Sequence, residues 1–376
     1  MVDSDARESR PTVSRRRMVA FTGAGLLGTT AGYSGDGKAD PPSNESTNTA
    51  GPSPESRNDE EDGAEDGCHE DDDYDIVVAR DGSGDYETVQ AAIDAVQPNT
   101  SDETRVYIRD GRYKEKLELP ADRPNVTFIG ESAENTVLTY DDHADKIGDD
   151  GEEIGTSGSS SFFVWGDDFT ARNVTFENAA EPVAQAVAIR IDADRVAFDN
   201  CRFLGNQDTL YNFGRRTRQY FRDCYVEGDV DFIFGRATAF FEDCEIYCKG
   251  EGFIAAPAQP ADVEHGFVFA DCDVVGDAPH ESVYLGRPWE PYGQTVYIDC
   301  ELGDHIRPRG WEPWDEPEHG DKTKTAFFAE HDNSGPGYTP DQRVDWSHQL
   351  SETEATAYTR AHVLSGWNPR RRLERR

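Results

Sequence analysis

The stretch "NQDTLYNFGRRTRQYFRDCYVEGDVDFIFG" (residues 206–235) carries an aspartate near each end, Asp208 and Asp231. They are 23 residues apart, too far for one helix face and too close for separate domains. Two carboxylates brought together do not both ionise cheaply, so one keeps its proton and the other stays anionic. That supplies an acid and a nucleophile or base in one place. Asp231 lies between Val230 and the apolar run "FIF", a setting in which an unpaired carboxylate is costly. Such a pair suits two chemistries. At about 5 Å it is the apparatus of a retaining glycosidase. With amide donors for an oxyanion it suits acyl transfer, and Gln207 and Gln185 are the candidate donors. No GxSxG occurs, which disfavours a serine esterase. The plainer alternative is two turn aspartates on a solvated acidic face.

Whether the carboxylates meet depends on the elements that carry them. A short pattern recurs: "NVTF" at Asn125 and Asn173, "NCRF" at Asn200, "DCYV" at Asp223, "DCEI" at Asp243, "DCDV" at Asp271 and "DCEL" at Asp299. The intervals are 48, 27, 23, 20, 28 and 28 residues, the first read as about two units. Periods of this size mark a solenoid. The units hold short alternating segments and turn residues with little room for a helix, which predicts a parallel β-helix. Asp208 lies eight residues after Asn200 and Asp231 eight after Asp223, so they share a register on adjacent coils. Neighbouring strands lie about 4.7–4.9 Å apart, and the two aspartates therefore stack.

Cys201, Cys224, Cys244, Cys272 and Cys300 fill one place in the repeat, and Val126 and Val174 fill it in the earlier units. Interchange with valine favours an interior packing column over disulfides or metal ligation. No CxxC or HExxH occurs and the nine histidines are scattered, so neither a metal nor a cofactor is expected.

The chain has 376 residues and a formal charge of −38, with 75 acidic residues against 37 basic ones. Only seven of the basic residues are lysine. This field excludes nucleic acid and anionic membrane as partners at low salt. It points to a surface like that of halophilic proteins, with a cation- or mineral-binding surface as the alternative. Residues 1–35 contain Arg15 to Arg17 followed by an uncharged stretch too weakly apolar to span a membrane, and they read as a twin-arginine export signal. Residues 36–73 are Pro/Ser-rich and then acidic, and Cys68 lies there; they read as a disordered linker. The folded domain is expected over 74–376, secreted and monomeric. "YETVQAAIDAV" places Val89, Ala92, Ile93 and Val96 on one helical face, an N-terminal cap. "SETEATAYTRAHVL" opens on a Ser351-x-x-Glu354 capping box, a C-terminal helix packed outside the barrel.

From about Tyr74 to Trp367 the chain resembles the pectin methylesterases, which are right-handed parallel β-helix enzymes. The ordered set "QDTLY", "GDVDFIFG", "YLGRPW", "HIRPRGWEPW" and "NSGPGY" carries the resemblance. It implies that Asp231 is the nucleophile on a galacturonate methyl ester in pectin and Asp208 the general acid, then base. It implies Gln207 and Gln185 at the oxyanion, Arg287 orienting Asp231, and Trp289 and Phe234 with Arg287 in the sugar cleft. Two departures stand out. Arg236 follows "DFIFG" where asparagine is more usual, which implies a different pattern of acid and ester groups nearby. The loop Asp141 to Ser161 is acidic beside the expected channel, which favours highly methylated, nearly neutral pectin. A glycoside hydrolase or lyase, an esterase for another ester, and an inactive polysaccharide-binding solenoid remain the alternatives.

Overall fold

The computed structural model describes residues 74–314 and 320–374. The expected export signal, the linker and Cys68 lie outside them. Short strands wind into coils with three faces, and every pairing between extended strands is parallel. The first face is an eleven-stranded ladder from Ile76–Val78 to His348–Gln349. The other two faces form one sheet, because Tyr225–Gly235 and Glu245–Pro257 turn the corner between them without a break. Tyr225 pairs back to Arg202 on the second face, while Ile233 pairs back to Leu210 on the third. This is the all-β parallel β-helix that the repeat predicts.

The repeated Asn or Asp is the corner between the first and second faces. Asn173, Asn200, Asp223, Asp243, Asp271 and Asp299 all hold φ between 49° and 55°. This left-handed region is one that Asn and Asp tolerate better than other side chains with a Cβ. "NVTF" at Asn125 is a false member of the series. Thr127 pairs with Thr170, which aligns Asn125 with Asp168 at a different corner and Gly130 with Asn173. The first interval is therefore one coil, lengthened by the loop 141–161, plus one further face, not two units. Val126 accordingly sits on the first face, outside the cysteine column.

Inside, flat rings stack coil on coil. Phe198, Phe221, Phe241, Phe269 and Tyr297 are register partners with ring centroids 4.4–5.0 Å apart and nearly parallel planes. Beside them run Cys201, Cys224, Cys244, Cys272 and Cys300, all buried free thiols. Each Sγ lies 3.2–3.5 Å from the carbonyl oxygen two residues earlier, so the thiols pack and donate weakly to the corner backbone. Burial pushes the Cys201 thiol up to about 12, which leaves it no nucleophilic role near neutrality.

The ends are closed differently. Helix Val89–Ala95, capped by Thr88, lays Val89, Ala92 and Ile93 into the N-terminal end of the core. The carboxylate of Glu115 accepts from the free amides of Val89 and Gln90 at 2.9 and 3.0 Å. At the C-terminal end the capping box of Ser351 and Glu354 forms, but the expected single helix does not. Separate turns at Glu352–Ala355, Thr356–Tyr358, Arg360–Val363 and Arg370–Leu373 replace it. Threonines drive the breaks: Thr356 bonds back to the Thr353 carbonyl at 2.7 Å, and Thr359 adopts an extended conformation. These turns lay Val363, Leu364 and Leu373 over Tyr220, Phe240 and Val268 on the outer side of the first face. Arg360 and Arg370 both pair with Glu242 there.

Because valine already occupies the cysteine column at Val174, Cys272→Val should cost less than about 1 kcal/mol. A urea titration in molar salt checks this, and a loss above about 3 kcal/mol would mean the thiols do more than fill space.

Candidate active site

Asp208 and Asp231 occupy equivalent corners of adjacent coils. Leu210 pairs with Ile233, so the residues two places earlier, Asp208 and Asp231, are in register. Their φ angles are both positive, 66° and 52°. The Asp208 amide donates to the Val230 carbonyl at 3.1 Å, which fixes one corner upon the next. Both aspartates are only 6–8 % exposed. The strand beyond Asp231 continues through Gly235, where a Cβ would lie 2.1 Å from the Asn212 carbonyl oxygen. At φ 125° and that approach, glycine is required there.

Arg287 reaches Asp231 from two coils away. It follows the strand Val283–Gly286, its amide donating to the Ala255 carbonyl at 2.9 Å. Its Nε and Nη2 donate to the two Asp231 carboxylate oxygens at 2.8 and 2.7 Å. The guanidinium is clamped between rings, with Cζ 3.7 Å from the Phe253 centroid and 3.9 Å from that of Trp314. Phe253 belongs to the intervening coil, so its flat face gives the arginine a path across it. A planar fork with two parallel N–H bonds recognises a carboxylate anion and fixes its rotamer.

Gln185 and Gln207 lie on the two coils leading to Asp231. Their backbone carbonyls accept from Ala144 and Ala186 at 2.8 and 3.1 Å. Both side chains are half-buried, and their amides have no partner among the described residues. Two amide groups are thus uncommitted among the described residues, one on the coil of Asp208 and one on the coil before it.

The aromatic residues divide. Trp289 is half-buried, whereas Phe234 is 3 % exposed. Tyr211 stacks on Phe234 at 4.0 Å, and Trp289 lies 6.0–6.4 Å from both. Tyr211, Phe234 and Ala256 are register partners on the outer side of the third face, where they form their own apolar cluster. Phe234 is the base of that floor and presents little surface of its own. Tyr211, Phe253 and Trp314 were not singled out in the sequence. Tyr211 stands within the "QDTLY" motif, but nothing local marks Phe253, and Trp314 is marked only by its place in "RGWEPW".

The loop 141–161 flanks the site, since Ala144 bonds to Gln185. The buried Asn178 amide ties it down, donating to the carbonyls of Asp142, Ser159 and Val187 at 2.9–3.1 Å. Its inner acid is neutralised. Burial pushes the Asp142 carboxyl up, but hydrogen bonds from Lys116 and Lys146 outweigh that and hold it below the usual range. Two other acids near the floor are pushed up by burial, Asp192 and Asp229. The same cause lifts the Tyr211 phenol to about 12.

Known proteins resemble this chain in sequence and fold. A family model described as Pectinesterase matches residues 75–367. Pectinesterase 31 of Arabidopsis thaliana is 44% identical over 286 residues, covering 74% of this chain and 89% of the relative. A pectin methylesterase from carrot superposes with a TM-score of 0.72 at 32% identity, over 78% of this chain and 93% of that one. A pectin methylesterase in complex with a hexasaccharide matches with a TM-score of 0.70 at 29% identity, over 79% and 98% of the two chains. A single fold with paired in-register aspartates, matched along nearly its whole described length, leaves one assignment: the chain belongs to the pectinesterase family of carboxylic ester hydrolases.

Proposed function

We propose that this chain hydrolyses galacturonate methyl esters in pectin with Asp231 as nucleophile and Asp208 as acid and base. The observation that carries the reading is the bidentate Asp231–Arg287 pair, set in register beside Asp208 and two uncommitted glutamine amides. An Asp231 carboxylate oxygen attacks the ester carbonyl carbon, and the carbonyl oxygen becomes an oxyanion facing the Gln185 and Gln207 amides. Collapse breaks the bond to methoxide, which takes the Asp208 proton and leaves as methanol. The polymer is then held through an anhydride to Asp231. Asp208, now a carboxylate, deprotonates a water that attacks this acyl carbon, giving the free uronate and restoring both aspartates. Trp289 offers ring surface to the sugars, with Tyr211 and Phe234 buried beneath it.

The acidic, lysine-poor composition supports work at high salt, where the Debye length falls to about 3 Å at 1 M. Arg15 to Arg17 and the uncharged stretch after them support export by the twin-arginine route, and the charge supports a soluble monomer free of membrane. Among the described residues no helix is long and apolar enough to cross a membrane.

Methanol release from highly methylated pectin in molar salt should be readily measured for the wild-type chain. It should fall at least about 10³-fold in Asp231→Asn, with polymer length unchanged in both. Methanol at undiminished rate from the variant would remove Asp231 from the reaction, and shortened polymer would point to chain cleavage. Arg287→Lys keeps the charge but loses the fork and the stacking, so kcat should drop about 10²-fold with little change in KM. A rise in KM alone would make Arg287 a binding residue. Replacing Arg15, Arg16 and Arg17 by lysine should leave the enzyme in the cytoplasm, and undisturbed secretion would refute that route.

A further inference from the structure

Acids outnumber bases two to one here, and the arginines are mostly committed to carboxylates. Arg195 holds Asp168, Arg218 holds Asp194, Arg222 holds Asp199 and Arg343 holds Glu330. Arg236 is an exception. It is half-buried, its Nε is buried without a hydrogen-bond partner, and no carboxylate among the described residues pairs with it. Its guanidinium lies against a ring, the Cζ 4.9 Å from the Phe213 centroid, and it reaches the Asp192 carboxylate only at long range, without an ion pair.

Phe213 also carries Arg190, at 4.1 Å. Arg190 is balanced, because its Nε donates to Asp192 at 2.8 Å. Its guanidinium also lies 5.0 Å from the Trp165 ring, so it is fixed on several sides. Two guanidinium groups and one carboxylate leave a net positive charge, and the free fork is that of Arg236. The group is continuous with the catalytic floor. Phe213 meets Tyr211 edge to face at 5.0 Å, and Tyr211 stacks on Phe234 and neighbours Trp289. Holding an unpaired guanidinium half out of water is unfavourable unless something anionic meets it.

We propose that Arg236 is a carboxylate-binding subsite, seating a de-esterified uronate of the same polymer whose methyl ester lies at Asp231. This rests on the esterase reading above. A methyl ester offers neutral oxygens, whereas a carboxylate gives the guanidinium two charge-assisted bonds, so the fork discriminates between them. The field of the whole chain disfavours an acidic polymer, but salt screens that field far more than a half-buried contact. The cleft therefore selects partly de-esterified chains where overall charge would select neutral ones.

Titration calorimetry of the full chain with de-esterified hexagalacturonate in molar salt tests this without needing catalysis. Arg236→Asn should bind about tenfold more weakly than wild type, about 1.4 kcal/mol. Arg236→Lys, with charge but no fork, should fall between them. Equal affinity for wild type and Arg236→Asn overturns the subsite. As a second readout, the ratio of kcat/KM on half-esterified to fully esterified pectin should fall by a similar factor in Arg236→Asn. An equal loss on both substrates would mark a merely structural arginine and also overturn it. If no ester releases methanol, the esterase reading fails, while the titration still decides the subsite.

Discussion

The bidentate contact between Arg287 and Asp231 is the interaction on which the site depends. It joins residues 56 apart in sequence and spans a whole intervening coil. Three features of the solenoid make it possible. The corner φ of Asp231 turns its carboxylate out of the barrel, the parallel register stacks Asp208 against it, and Phe253 offers a flat ring over which the guanidinium passes. Trp314 closes the other face. Parallel backbone pairing sets the coil spacing and the stacked core rings fill it, and a displacement of about 1 Å is enough to misplace a reacting group.

Charge works on two scales in this molecule. The whole chain is strongly acidic, a condition suited to solvent with abundant counter-ions. The third face and its loops carry the opposite local pattern. Arg190, Arg236, Arg287 and Arg307 each lie against an aromatic ring, and the acid at the base of the loop 141–161 is met by two lysines. A surface that solvates the protein and a cleft that accepts a uronate polymer thus coexist in one sequence.

Much of this is legible in the sequence because the solenoid writes its geometry as a period. Only a few residue types accept the left-handed corner, so Asn and Asp recur there, and counting from those corners sets Asp208 beside Asp231. The same letters mislead at Asn125, because a β-helix coil has more than one left-handed corner and four residues do not say which. The long loop 141–161 then passes for an extra unit. The C-terminal capping box is local and visible, whereas the breaks after it depend on threonine side chains bonding back to the chain. Burial of Phe234 and the ring clamp on Arg287 arise between coils, where spacing carries no signal. Arg236 stands out by residue type, but its lack of an acidic partner is visible only in three dimensions.

The central claim is geometric: an ester carbonyl carbon sits against Asp231 with its oxygen toward the two glutamines. A crystal structure of Asp208→Asn soaked with fully methylated hexagalacturonate tests it most directly. The account predicts that carbon about 3–3.5 Å from an Asp231 oxygen and the carbonyl oxygen within hydrogen-bond reach of the Gln185 and Gln207 amides. A glycosidic oxygen between the two carboxylate positions, or an ester turned away from Asp231, would contradict it.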